Sequence, residues 1–234
     1  MKIALLGYGK MGKTIEKIAI KRGHTIILKA DEHTKLSLLQ DADVAIDFSV
    51  PTAAVKNITT CFEKSVPVVS GTTGWLSSYE DVVKQCKDQN GSFIYASNFS
   101  LGVNLFFELN KKLAEMMKTV EGYDIMMEEI HHTQKLDAPS GTAITLAEGI
   151  IEKNPVKKNW SLDQSKKETI LIDAKRIDEV PGTHMVTYTS EIDDISIKHT
   201  AHNRQGFALG AVVAAEWLYQ KKGVYTMKDV LGIS

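Results

Sequence analysis

The chain has 234 residues, 43% hydrophobic and 24% charged, which suits one large or two modest globular domains. Its 28 Lys and Arg nearly balance 29 Asp and Glu, for a formal net charge of -1, so no basic field points to nucleic acid or an anionic membrane. No apolar run approaches the ~20 residues of a membrane span, the run before Gly7 is too short for a signal-peptide core, and Cys61 and Cys86 form no C-x-x-C pair, so reduced thiols and a cytoplasmic setting are expected.

Residues 2–6 (KIALL) form a short apolar run, as a fully buried parallel strand does. A complete G-x-G-x-x-G follows, Gly7-Tyr8-Gly9-Lys10-Met11-Gly12, opening a helix over about 11–21. Strand, glycines and helix together are the context that a dinucleotide site requires. Gly7 permits the turn, Gly9 lets backbone approach a pyrophosphate, and Gly12 lets helix pack on strand. A second strand, 25–30, leads to Asp31-Glu32, and Asp31 lies 19 residues beyond Gly12. That spacing suits a carboxylate on the adenosine ribose and favours NAD. Lys29 and Lys35 are near enough to leave NADP open, and a solvated turn is the plainer alternative.

The alternation continues through strands at 44–48, 66–69 and 92–95, with helices at about 52–63 and 77–87. Five strands alternating with helices predict a doubly wound parallel α/β sheet. Its ligand would lie beyond the C-terminal strand ends, at the glycine loop, Asp47-Phe48-Ser49, Gly71-Thr72-Thr73-Gly74 and Ala96-Ser97-Asn98-Phe99.

After Phe99 the rhythm changes. A helix over about 101–118 carries Phe and Met at core spacing, and a strand over 123–129 follows. Residues 141–153 read as a helix and 156–167 as a surface loop. Strand-like runs at 168–176, 183–190 and 194–200 have no helices between them, and the last two alternate as antiparallel strands do. They predict a second, α+β domain with a mixed or antiparallel sheet over 100–204. The all-round apolar helix from 205 to about 221 must be buried, so 205–234 is expected to complete the dinucleotide domain of 1–99.

The densest chemistry lies between these halves, in Glu129-Ile130-His131-His132-Thr133-Gln134-Lys135-Leu136-Asp137-Ala138-Pro139-Ser140-Gly141-Thr142-Ala143. A packed interior has little use for so many titratable groups, whereas the helix start at Ser140-Gly141-Thr142 offers backbone N–H groups to an anion. A solvated loop with Ser140 as an ordinary N-cap is the competing reading. Adjacent His131 and His132 would face opposite sides of a strand, and His199-x-x-His202 lacks a third ligand, so no metal is expected and His199 reads as structural.

The chain resembles the 4-hydroxy-tetrahydrodipicolinate (dihydrodipicolinate) reductase family essentially end to end. The resemblance rests on the glycine loop, Asp47-Phe48-Ser49, Gly71 to Gly74, Asn98 to Asn104, and above all the block from Glu129 to Ala143. It implies a Rossmann-type cofactor domain, a homotetramer built by the second domain's sheet, and hydride transfer from NADH or NADPH to a cyclic imine dicarboxylate. It makes His131 the acid/base residue and Lys135 a second proton donor. His132, Ser140, Gly141, Thr142, Lys135 and Arg204 would hold substrate. Residues 7–12, Asp31, Phe48, Gly71, Thr72, Thr73, Ala96, Ser97, Asn98 and Phe99 would line the cofactor. Asp31-Glu32 lacks the arginine that NADP-leaning members often carry. Another two-domain amino- or sugar-acid dehydrogenase, or an NAD-binding redox sensor, would share the glycine motif but not the block from His131 to Thr142.

Overall fold

The computed structural model describes residues 1–203 and 205–233. The chain divides into two compact units, Met1–Leu101 with Gln205–Ser234, and Gly102–Arg204.

The first unit opens with β1 (Lys2–Leu6), α1 (Lys10–Lys21), β2 (Thr25–Ala30), β3 (Val44–Asp47), α2 (Pro51–Glu63), β4 (Val68–Ser70), α3 (Tyr79–Asp88) and β5 (Ser92–Tyr95). Side chains of β1 alternate between two cores. Ile3 and Leu5 join α1, whereas Ala4 and Leu6 join α2 and α3. Both sheet faces are covered, which is why these strands are apolar throughout rather than alternating.

The second unit runs through α4 (Leu101–Met117), β6 (Asp124–His131), α5 (Gly141–Lys153), β7 (Asn159–Ser161), β8 (Thr169–Arg176), β9 (Gly182–Thr189) and β10 (Asp194–Ala201). The chain then returns to the first unit as α6 (Gln205–Leu218), β11 (Gly223–Tyr225) and α7 (Met227–Leu231). The first sheet is wholly parallel, ordered β11-β5-β4-β3-β1-β2. Ala208, Ala211, Val212 and Ala215 of α6 are buried against it, and Gly210 lies so close to Phe99 that a Cβ would meet its carbonyl oxygen at 1.7 Å.

The second sheet is mixed, ordered β10-β9-β6-β8-β7. Strands β10, β9 and β6 are antiparallel, whereas β8 runs parallel to β6 and to β7. Helices α4 and α5 cover one face, packing Phe106, Ala114, Leu146 and Ile150 on Ile125, Met127, Ile172, Val186 and Tyr188.

Two short strands depart from expectation. β7 lies inside the stretch read as a surface loop, and β11 adds a sixth strand to the first sheet. Each has three residues and pairs at a sheet edge, so each is defined by its neighbour's backbone rather than by a pattern of its own. The strand expected to end at residue 129 continues to His131.

Candidate active site

In the first unit, the loop after β1 forms a cradle that side chains would fill. Gly7 has φ +96°, and a Cβ there would meet the Phe48 carbonyl oxygen at 2.2 Å. One on Gly12 would meet the Gly7 carbonyl oxygen at 2.3 Å, and one on Gly71 the Phe48 ring at 2.2 Å. Gly9, by contrast, faces open space and is the N-cap of α1 without a side-chain cap. The helix start is therefore open to an anion. These features fit a dinucleotide.

Asp47 organises the floor of this cleft. It is fully buried at the end of β3. Ser49 Oγ (2.7 Å) and Asn57 Nδ2 (2.9 Å) donate to one carboxylate oxygen, and Ser70 Oγ and Thr72 Oγ1 (both 2.8 Å) to the other. The Ser49 amide in turn donates to Thr72 Oγ1 at 2.8 Å, tying the loops after β3 and β4 together. Of the expected lining residues, Thr72 and Phe99 are buried, so their side chains support the cleft from beneath. Thr73 and Ser97 are exposed, and Ala96 and Asn98 half-buried.

Around Tyr8, its hydroxyl donates to Glu16, and Lys29 pairs with Glu16 at 2.5 Å while lying 5.2 Å from the Tyr8 ring centroid. Lys29 is thus engaged by Glu16 and Tyr8. Asp31 is exposed and accepts from the His33 amide (3.1 Å) and Thr34 Oγ1 (2.6 Å), an Asx-type turn. Those bonds, Thr34 first, hold its carboxyl below the usual range.

In the second unit, strand register assembles the site. On the face covered by α4 and α5, β6 presents Ile125, Met127, Glu129 and His131 in turn. Across β9 stand Tyr188 opposite Ile125, Val186 opposite Met127 and His184 opposite Glu129, while Gly182 begins the strand beside His131. β8 sets Arg176 beside His131. One end of the face is apolar core and the other carries ionisable groups.

Glu129 is fully buried. It accepts from the Ser140 amide and from Arg176 Nη2, each at 3.1 Å, and lies 3.4 Å from His131 Nδ1 and 3.6 Å from His184 Nε2. Burial pushes its carboxyl pKa up, but the nearby His184 imidazole and hydrogen bonds from Ser140 and Arg176 win and hold it at about 2. Burial pushes the His131 imidazole down to about 4, opposed by the Glu129 charge and assisted by His184, Lys135 and Arg176. His131 is therefore held neutral near pH 7. The His131 and His184 rings meet edge to face at 5.0 Å.

Lys135 pairs with both Asp137 oxygens, at 2.7 and 2.8 Å. Arg176 Nη2 also donates to the Asp137 carbonyl at 2.6 Å, anchoring this loop to Glu129. The Ala138–Pro139 peptide is cis. Ser140 is the N-cap of α5. Its Oγ accepts from the Ala143 amide at 3.2 Å and lies 3.1 Å from His184 Nε2. Its hydroxyl and amide are thus engaged within the protein. Gly141 and Thr142 precede the first helical bond, Ile144 N–H to the Ser140 carbonyl, and a Cβ on Gly141 would meet nothing within 4 Å. His132 is half-buried just beyond β6. Arg204 lies outside the described residues.

Sequence reasoning had not singled out Glu129, Arg176, His184 or Gly182 as site residues. Glu129, His131 and His184 bring donor atoms within 4.8 Å of one another, but positive Arg176 and Lys135 beside them oppose a divalent cation. A cavity of about 810 Å³, lined by Met117, Tyr123, Asp124, Lys157 and Tyr188 among others, lies at the opposite end of this sheet. It holds none of the expected site residues, and Lys157 there is already engaged by Asp124 (2.6 Å) and the Thr169 carbonyl (3.0 Å).

Comparison with known proteins shows the family. The family description "Dihydrodipicolinate reductase, N-terminus" matches residues 1–99, and "Dihydrodipicolinate reductase, C-terminus" matches residues 102–231. The chain belongs to the dihydrodipicolinate reductase family. A 4-hydroxy-tetrahydrodipicolinate reductase of Christiangramia forsetii is 62% identical over 99% of this chain and 98% of the relative. One from Neisseria meningitidis serogroup C is 31% identical over 100% and 98%. A solved dipicolinate-bound dihydrodipicolinate reductase from Paenisporosarcina sp. TG-14 shares the fold, with TM-score 0.80, 22% identity and 97% of each chain covered. Like other members of the dihydrodipicolinate reductase family, the chain is an enzyme with a nucleotide-binding N-terminal fold. No helix among the described residues is long and apolar enough to cross a membrane.

Proposed function

We infer that this chain reduces 4-hydroxy-tetrahydrodipicolinate to tetrahydrodipicolinate, with loss of water, in the lysine and diaminopimelate pathway. The observation that carries the reading is the convergence of His131, Lys135 and the open start of α5 in one unit of a chain whose relative, 62% identical over nearly its whole length, bears that activity by name. A nicotinamide cofactor bound in the glycine cleft supplies the hydride. Gly9 and the first turn of α1 would receive its pyrophosphate, over loops braced by Asp47.

The substrate is a dicarboxylate, as is the dipicolinate held by the solved relative. The amides of Gly141 and Thr142 take one carboxylate; Lys135 and His132 take the other. Ser140 acts as the cap that positions this helix start. His131 is neutral before substrate arrives, and two incoming carboxylates favour its charged form. It then gives a proton to the substrate, while Lys135 assists departure of the hydroxyl as water.

NADH is the favoured cofactor, because Asp31 offers a carboxylate to a ribose diol and Lys29 is engaged by Glu16 rather than available to a 2′-phosphate. A homotetramer is supported by the face of the second sheet that α4 and α5 leave uncovered, where Met126 is 44% exposed. Two buried free cysteines suit a reducing cytoplasm. The test is oxidation of NADH or NADPH, followed at the nicotinamide absorbance, with 4-hydroxy-tetrahydrodipicolinate generated in the assay. Turnover with NADH favoured is expected, and absence of turnover with either cofactor overturns the reading.

A further inference from the structure

We propose that Glu129 is the positioning residue for proton transfer: it holds His131 with Nδ1–H toward its own carboxylate and leaves Nε2, beside the side-chain-free Gly182, as the atom that meets substrate. The proposal rests on the reading of His131 as proton donor and adds which nitrogen acts and what aims it.

Among the described residues, the ionisable groups near His131 come from five elements, and only one can orient it this way. Arg176 on β8 and Lys135 in the loop are donors whose charge opposes an imidazolium. His184 on β9 presents its ring edge to face, with its own Nε2 near Ser140 Oγ and Glu129. Asp137 is engaged by Lys135. His199 on β10 is aligned with His184 and packs near Phe106. Among the described residues, Glu129 alone offers a carboxylate at Nδ1, at 3.4 Å. Its own place is fixed from two other elements, by the Ser140 amide at the start of α5 and by Arg176.

His131 Nδ1 is buried without an aligned hydrogen bond, and the Glu129 carboxylate lies within reach of it. A carboxylate at Nδ1 fixes the neutral imidazole as the Nδ1–H tautomer, with the lone pair on Nε2. It also stabilises the imidazolium, whose second proton then lies on Nε2. In the transfer step the Nε2–H bond breaks, its electron pair stays on nitrogen, and the proton forms the new bond to substrate. Solvent restores it afterwards.

Gly182 completes the geometry. A Cβ there would lie 3.1 Å from His131 Nε2 and 3.4 Å from Cδ2, tighter than ordinary contact with Nε2. The edge of the ring that Glu129 turns outward is the edge that Gly182 leaves uncrowded.

The decisive experiment is ¹⁵N NMR of histidine-labelled, full-length protein near pH 7, with His131 assigned by the signals missing from H131A. The wild type should show a protonated Nδ1 and an unprotonated Nε2. The reverse tautomer overturns the proposal, and this measurement needs no variant at Glu129 to fold. E129Q, which keeps shape but loses the charge, should show mixed tautomers and a kcat at least tenfold lower, with KM for NADH little changed. Its alkaline limb in kcat/KM should move to lower pH, because the lost carboxylate no longer favours the imidazolium. A folded E129Q with the wild-type tautomer and pH profile also overturns the proposal. If H131A itself retains normal turnover, the proton-donor reading fails instead, whatever the tautomer.

Discussion

Asp47 and Glu129 are both fully buried carboxylates near the C-terminal end of a strand in the middle of its sheet, and their partners differ in kind. Asp47 is met by three hydroxyls and an amide, from Ser49, Asn57, Ser70 and Thr72. None of these donors changes charge near neutral pH, so the arrangement is a fixed brace under the cofactor loops. Glu129 is met by a backbone amide, a guanidinium and two imidazoles. An imidazole is a titratable partner, unlike any donor to Asp47. A buried charge met by polar partners makes a frame in one unit and, on the function proposed above, a proton-handling centre in the other.

The largest expected effect separates those roles by kinetics. His131→Ala should lower kcat by about 10²–10⁴-fold, the usual contribution of a positioned acid/base group, while NADH still binds with near wild-type affinity. Near-normal turnover would remove the centre in the second unit from the chemistry. Asp47→Ala should do the reverse. Four donors lose their acceptor at once, and stability should fall by about 3 kcal/mol. Cofactor KM should rise more than kcat falls, because the hydroxyls of Ser49, Ser70 and Thr72 lose the acceptor that holds these loops. Unchanged denaturation midpoints would show that the brace is dispensable.

How far this contrast was legible in the sequence follows from where the partners lie. The strands and helices of the first unit read directly, because both sheet faces are covered and the apolar runs are unbroken. β7 (Asn159-Trp160-Ser161) and β11 (Gly223-Val224-Tyr225) did not, since three residues at an edge carry no period. His131, Lys135, Ser140 and Gly141 stand within one stretch and could be read together. Glu129 stands there too, but Arg176 and His184 belong to β8 and β9, and only the register of a mixed sheet brings them to it. Asp47 gave a signal that could have been used: a charge ending the apolar strand Val44-Ala45-Ile46, with Ser and Thr at the ends of the neighbouring strand and loop.

Acid stability sharpens the comparison further. Glu129 has its folded pKa held at about 2, below the ~4.3 of an unfolded Glu, so its stabilisation is complete above ~4.3 and is lost as pH falls toward 2. His131 has its folded pKa lowered to about 4, below the ~6.5 of an unfolded His. Below ~6.5 the unfolded chain binds that proton first, and stability falls until about pH 4. The second unit's centre should thus weaken the fold in two adjoining windows. Denaturation midpoints measured against pH for His131→Leu should lose the upper slope and keep the lower one. An unaltered slope between pH 6.5 and 4 would mean that His131 is not held neutral by burial.

The smallest effect concerns Ser140, which joins the two readings of its own stretch. Its amide donates to Glu129, and its hydroxyl accepts from the Ala143 amide and meets His184 Nε2. Ser140→Ala removes the hydroxyl and keeps the amide. The cap is worth about 1 kcal/mol, so stability should fall by about that much while Glu129 stays anchored. If Ser140 only positions the start of α5, kcat and the substrate KM should each change by less than about threefold, since Gly141 and Thr142 keep their amides. If the hydroxyl instead reaches substrate, the variant should raise the KM for 4-hydroxy-tetrahydrodipicolinate by tenfold or more with no matching change for NADH. That result would move Ser140 from the frame to the binding surface. It would also mean that the bonds now joining it to Ala143 and His184 give way when the dicarboxylate enters.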